Sequence, residues 1–204
     1  DGQLYDVQTA LARCYLRLGR LADAEAALHD LMQAPYTVER MGPVRWVIVR
    51  VNHGMAVNQQ GRSEAAERTL TEAVDAARRH LGAEHYLTGA ALSQLADVYA
   101  MRGQFDRALA PAREALAIVR KSSGERSQSH MLMRASLGVL ELQSGQLQTA
   151  ISTLTGARST LIELLGERSP QAQGASFYLA SALVEVSRPA EAAELLTAVD
   201  AAGL

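Results

Sequence analysis

The stretch LGAEHYLTGAALSQLADVYAMRGQFDRALAPAREALAI, residues 81–118, places two apolar helical segments on either side of Gly103. Ala96 precedes this glycine and Ala108 follows it, so each segment carries a small residue that lets the two helices approach closely. Gly103 adopts the positive φ of a chain reversal at low steric cost. The stretch therefore predicts a helix–turn–helix hairpin.

The same hairpin recurs every 42 residues along the chain. The predicted turn residues are Gly19, Gly61, Gly103, Gly145 and Ser187. The fifth residue after each turn is an alanine, namely Ala24, Ala66, Ala108, Ala150 and Ala192. The residue seven positions before each turn is small, namely Ala12, Gly54, Ala96, Gly138 and Ala180. A fixed period of this length is typical of repeat proteins built from stacked helical hairpins.

The period predicts an all-α fold of five hairpins, each with a first helix A and a second helix B. Helix A is predicted near 3–18, 42–59, 86–101, 127–143 and 170–185. Helix B is predicted near 21–33, 62–80, 104–121, 146–165 and 189–202. We expect one repeat domain over 1–204, with repeats at approximately 1–35, 36–81, 82–123, 124–166 and 167–204. Ser127 and Ser169 are predicted helix N-caps, and Pro170 and Pro189 are predicted first-turn prolines.

The pattern Leu-small-x-x-Tyr, then Gly, then Ala-x-x-x-Leu resembles the tetratricopeptide repeat (TPR). Leu11, Tyr15, Gly19, Ala24 and Leu28 carry it in the first repeat. The long unit resembles the 42-residue variant of kinesin light chains and of many bacterial multidomain proteins. The resemblance implies a right-handed superhelical α-solenoid with helices A on its concave side. A HEAT-type array has a similar period, but the glycine turn and the Ala-x-x-x-Leu register fit the TPR pattern better. His53, Val57 and Ser187 depart from that pattern.

Composition and motifs give no support for catalysis. The formal net charge is −2 with acids and bases mixed along the chain, so there is no electrostatic case for nucleic acid or an anionic membrane. Nucleotide-binding, zinc-protease and hydrolase motifs are missing from the sequence, so we expect no enzyme, no cofactor and no metal site. His80 and His85 are interpreted as helix-end histidines, His53 as a partly buried histidine, and Cys14 as a small packing residue.

The resemblance implies that a partner peptide would lie on the concave face of helices A. The candidate groove residues are Arg13, Arg17, Val51, Asn52, Met55, Asn58, Gln59, Gln94, Asp97, Met101, Phe177 and Tyr178. Their amides can pair with a peptide backbone, and their Met and aromatic side chains can pack on apolar anchors. Trp46, the only tryptophan, is expected either to reach this groove or to fill a gap beside Pro35 and Tyr36.

One TPR binding mode is not expected here. TPR domains that clamp an acidic C-terminus use Lys and Asn at successive groove positions. The matching positions of this chain hold Asp6, Thr9, Arg13, Ile48, Val51 and Met55. Arg13 and Arg17 remain able to bind a single carboxylate.

We therefore expect a protein–protein interaction scaffold that binds a peptide or protein partner in its groove. The alternative is a regulatory or sensory domain of a bacterial transcription regulator or kinase that controls signal binding or self-association. Lys121 is the only lysine among many arginines, which favours a GC-rich bacterial source, part of a longer protein and a cytoplasmic location. The last helix carries Leu195, Leu196 and Val199, and we expect a neighbouring copy, as in a homodimer, or additional sequence to cover them.

Overall fold

A computed structural model describes residues 2–33 and 37–203, with side chains described for 5–33 and 37–197. These residues contain helices and turns and no β-strand, which confirms the predicted all-α repeat fold. The first helices of the five hairpins are α1 (Gly2–Arg17), α4 (Pro43–Gln59), α6 (Tyr86–Met101), α8 (Gln128–Gln143) and α10 (Pro170–Glu185). Their second helices are α2 (Leu21–Met32), α5 (Ser63–His80), α7 (Phe105–Ser123), α9 (Leu147–Leu165) and α11 (Pro189–Gly203).

One short helix was not predicted from the sequence. Helix α3 (Val38–Met41) lies in the link between the first and second hairpins and buries Met41. It ends at Gly42, which has a φ of 81°. The link departs from the 42-residue pattern, so the repeat alignment gave no signal for this extra turn.

The chain divides into two compact units, Asp1–Ile118 and Val119–Leu204. The first contains α1 to α6 and most of α7, and the second contains α8 to α11 with the end of α7. Each unit is described by itself below, and the prediction of one repeat domain over 1–204 stays a prediction.

Backbone conformation at the predicted turns agrees with the sequence pattern. The four glycines have φ values of 69°, 81°, 68° and 77° at Gly19, Gly61, Gly103 and Gly145. Ser187 stands at the fifth turn and has a φ of 60°, the only positive φ among the described non-glycine residues. The backbone therefore keeps the same left-handed turn even where the sequence lacks glycine.

Small residues of the two helices meet inside each hairpin, as the period predicts. Ala66 and Ala108 are fully buried. Leu70 and Leu154 of helices B are also fully buried and lie against Gly54 and Gly138, which belong to helices A. Burying a leucine side chain stabilises a fold by about 1.5–3 kcal/mol, so this position anchors each hairpin.

The links between repeats also follow the period. Ser127 and Ser169 are N-caps, as predicted, since their Oγ atoms accept hydrogen bonds from the amides of His130 (3.2 Å) and Ala172 (3.3 Å). His85 occupies the matching position one repeat earlier, and its Nδ1 accepts from the Leu87 amide at 3.2 Å. A histidine at a helix end thus has a structural role, in agreement with the interpretation of His85 as a helix-end residue.

Two further observations concern packing and hydropathy. Cys14 is exposed, so the interpretation of this residue as a packing residue was wrong. It lies on the side of α1 that points away from the buried Ala12. In the part of the chain that the structure describes, no helix has the length and apolar character needed to cross a membrane.

Candidate binding site

Helices α4 and α6 belong to consecutive repeats of the first unit and pack against each other. Asn58 of α4 connects them, because its Nδ2 donates a hydrogen bond to Sδ of Met101 at 3.0 Å. Its Oδ1 accepts from the hydroxyl of Ser63 at 3.0 Å. Asn58 is buried, so the structure gives it a connecting position between two repeats.

The other candidates on α4 lie at different depths. Val51 and Asn52 are buried, Met55 is half-buried and Gln59 is exposed. The Nδ2 of Asn52 is buried and has no hydrogen-bond partner among the described residues. Only Met55 and Gln59 therefore present substantial surface on this helix.

Helix α6 contributes Gln94, Asp97 and Met101. Gln94 donates from Nε2 to Oδ2 of Asp97 at 3.2 Å, and Met101 is 58% exposed. Desolvation by surrounding protein atoms raises the pKa of Asp97 to about 6, although the residue also touches solvent. Such a carboxyl group exchanges its proton close to neutral pH.

Helix α1 lies beside α4 at the start of the chain. Asp6 of α1 pairs with Arg45 of α4 at 3.2 Å, which joins the first two repeats. Arg13 and Arg17 are both exposed on α1. They supply positive charge on the helix that precedes the α4–α6 pair.

The two remaining candidates, Phe177 and Tyr178, lie on α10 in the second unit. Both rings are exposed, and their centroids are 5.6 Å apart at an interplanar angle of 77°. This edge-to-face geometry is favourable for aromatic pairs. The structure brings these two side chains together, in a unit separate from α4 and α6.

Trp46 and Arg50 form a contact that the sequence analysis missed. The Arg50 guanidinium lies 3.5 Å from the Trp46 ring centroid, and its Nε lies 3.5 Å from Oε2 of Glu72. Burial lowers the pKa of Arg50 below its usual range. Trp46 packs against the buried cluster that includes Leu28 and Val49, so it fills space between repeats. Its Arg neighbour four residues later on the same helix was the available signal. Pro35 and Tyr36 lie outside the described residues.

His53 occupies the position that holds leucine in the other repeats. It is half-buried, and its Nε2 lies 3.9 Å from Oε1 of Glu25. Its Nδ1 is buried without a hydrogen-bond partner among the described residues. Burial lowers the pKa of His53, and the nearby Glu25 carboxylate opposes that shift. Within the described side chains, no group of three or more His, Cys, Asp or Glu residues is arranged to hold a metal ion.

Comparison with known proteins identifies the repeat. Models of the tetratricopeptide repeat match residues 47–121 and residues 6–30. No curated protein matches this sequence.

Several solved structures have the same fold. A Podosopora anserina kinesin light chain with nearly identical TPR-like repeats is 25% identical, covers 98% of this chain and 94% of its own, and has a TM-score of 0.83. BtubC (BKLC) from P. vanneervenii is 17% identical, with 98% and 79% covered and a TM-score of 0.85. MamA MSR-1 is 16% identical, with 100% and 98% covered and a TM-score of 0.68.

These findings support a protein-interaction scaffold in general terms. The 42-residue period, the glycine turns, the buried alanines and the matched repeats all lead to one family. The chain is a tetratricopeptide repeat protein of the kinesin-light-chain-like type.

Proposed function

We propose that this chain is a protein-interaction scaffold that binds an extended peptide segment of a partner protein across α4 and α6. We define the groove face as the accessible side chains Met55, Gln59, Gln94, Asp97 and Met101. The observation that carries the proposal is the hydrogen bond from Asn58 to Met101 at 3.0 Å. It holds the accessible ends of two consecutive helices A next to each other, as a peptide that spans two repeats requires.

The groove face offers three kinds of contact. Gln59 and Gln94 carry amides, which can donate to and accept from the backbone of an extended peptide. Met55 and Met101 carry flexible thioethers, which adapt to apolar side chains. Asp97 offers a carboxyl oxygen to a hydrogen-bond donor or a cation. These contacts favour a peptide with one apolar and one basic or donor side chain.

The exposed arginines of α1 extend this chemistry. Arg13 and Arg17 lie on the helix that packs beside α4. A guanidinium pairs well with a carboxylate. A peptide that runs from α6 across α4 to α1 would therefore place its acidic end at α1 and its basic end at Asp97.

Peptide selection on the whole chain tests the proposal. Peptides are enriched from a random display library on the immobilised protein, synthesised with a fluorophore and titrated by fluorescence anisotropy. Met101→Glu places a charge in the middle of the groove face and should weaken binding by roughly tenfold or more. Ala117→Glu is the matched control, because Ala117 is exposed on α7, a helix B.

Equal affinities for the wild type and Met101→Glu would exclude the groove face as the binding site. Equal losses in Met101→Glu and Ala117→Glu would show a general charge effect and would also contradict the proposal. Far-ultraviolet circular dichroism of each variant checks that the helices are intact.

A further inference from the structure

The two ends of the repeat array carry exposed apolar side chains. We define the head face as Val7 and Leu18, on α1 and the turn that follows it, which are 63% and 71% exposed. We define the tail face as Val184 of α10 and Leu196 of α11, which are 56% and 38% exposed. Large exposed apolar side chains clustered on one face are typical of interaction surfaces.

The same repeat positions are buried wherever a neighbouring repeat lies against them. Leu196 corresponds at multiples of 42 residues to Leu28, Leu70 and Leu154, all of which are 0% exposed. Val7 corresponds to Val49, which is also 0% exposed. Both end faces therefore consist of positions that are normally part of a repeat-to-repeat interface.

One contact inside the chain shows how these positions meet. Leu28 of the first repeat and Val49 of the second belong to the same buried cluster. Leu196 is the counterpart of Leu28, and Val7 is the counterpart of Val49. If Leu196 of one copy met Val7 of another, the contact between repeats one and two would be reproduced.

A second contact position changes its chemistry on both sides together. Gln60 of the second repeat donates to Glu25 of the first at 3.1 Å, and the next pair along, Arg102 and Glu67, forms an ion pair. The counterparts at the two ends are Leu18 on the head face and the exposed Ala193 beside the tail face. A polar pair within the chain thus corresponds to an apolar pair between its ends.

The ends also avoid burying an unpaired charge. Arg62 pairs with Glu25 across the first repeat interface. Its counterpart at the head is Arg20, which pairs within its own repeat with Asp23 at 2.7 Å. Covering the head face therefore leaves no arginine in need of a partner, and an unpaired buried charge would be costly.

We propose that the tail face of one copy binds the head face of a second copy, which continues the repeat stacking between molecules. The argument is the continuity of this contact with the repeat interfaces inside the chain. Such an interface is heterologous, because each copy contributes a different surface.

Complementary variants test this arrangement. The head variant is Leu18→Glu and the tail variant is Leu196→Glu. Leu164→Glu is the matched control, because Leu164 is an exposed leucine on α9 and belongs to neither end face. Light scattering after size exclusion measures mass over a range of concentrations, and circular dichroism checks the fold. If either variant has altered circular dichroism, Leu18→Ser and Leu196→Ser replace the pair.

We expect the wild type and Leu164→Glu to associate as concentration rises, with association roughly tenfold or more weaker in each end variant alone. An equimolar mixture of the head and tail variants should form a dimer and nothing larger, since each keeps one intact face. A wild type that stays monomeric at its highest soluble concentration would overturn the proposal and assign the faces to another protein or a further repeat. Self-association of the head variant alone, or a mixture that remains monomeric, would also overturn it.

Discussion

A Cβ atom on Gly54 would lie 2.6 Å from Cγ of Leu70. Two repeats later, Gly138 stands in the same relation to Leu154, at 2.7 Å. Carbon atoms pack best at about 3.5–4.0 Å, so neither position has room for a side chain unless the leucine moves. The small residue of helix A thus sets how closely the two helices of these hairpins approach.

Gly138→Ala should lower the free energy of unfolding by about 1–3 kcal/mol, because the added methyl group overpacks the contact with Leu154. The first repeat pairs Ala12 with Leu28, both fully buried, so a slightly wider hairpin accommodates alanine and folding should survive. Urea denaturation followed by circular dichroism measures the change. The double variant Gly138→Ala/Leu154→Ala should show a coupling between the two positions.

Gly174→Ala is the matched control in the same unit. No heavy atom lies within 4 Å of a Cβ placed on Gly174, which lies within α10. Replacing a helical glycine by alanine should stabilise the protein by roughly 0.5–1 kcal/mol. The same destabilisation in both variants would show that the close approach at Gly138 has no energetic effect.

Ser187→Gly should raise the stability of the second unit. Ser187 holds a φ of 60°, which costs a residue with a Cβ about 1 kcal/mol, and glycine removes that cost. The gain is partly offset by the greater freedom of glycine in the unfolded chain. The reverse change, Gly145→Ser, should destabilise the matching turn. A thermal midpoint for Ser187→Gly at or below that of the wild type would contradict this prediction.

The period could be read for the turns and the packing positions because it depends on backbone and volume requirements that recur in every repeat. Gly103 and Ala108 illustrate this, since the sequence gave both their position and their role. The depth of each groove candidate could not be read in this way. Asn58 is buried because Met101 of the next repeat covers it, and that depends on the residue that happens to occur one repeat later.

His53→Leu should stabilise the first unit by about 1 kcal/mol at neutral pH. The Nδ1 of His53 is buried without a hydrogen bond, which is costly, and leucine fills this position in the other repeats. Burial lowers the pKa of His53, so the unfolded state binds more protons than the folded state below the ordinary histidine pKa of 6.5. Wild-type stability should therefore fall relative to His53→Leu as pH decreases through 6.5.

Urea denaturation of both proteins at several pH values between neutrality and acid checks this. An advantage of His53→Leu that stays constant with pH would show that His53 titrates normally. A less stable His53→Leu would show that the 3.9 Å approach to Glu25 contributes more than the buried nitrogen costs.

Asp97→Asn should stabilise the protein at neutral pH and lose that effect in acid. Desolvation raises the pKa of Asp97 from its ordinary value of 3.8 to about 6, so the folded state holds a proton that the unfolded state has released between these values. Stability therefore decreases as pH rises from about 4 to about 6, and the full cost is present above 6. Because Asp97 also touches solvent, screening should limit the gain from Asn to on the order of 1 kcal/mol or less.

Carboxyl-detected NMR titration of Asp97, together with urea denaturation of both proteins at pH 4 and pH 7, measures this directly. Asn keeps an oxygen that can accept the hydrogen bond from Gln94, so the comparison isolates the charge. A midpoint near 4 in the titration would show that solvent reaches the carboxylate freely. A raised midpoint would mean that a basic peptide residue bound at Asp97 releases a proton from that carboxyl, so its affinity should increase as pH rises through 6.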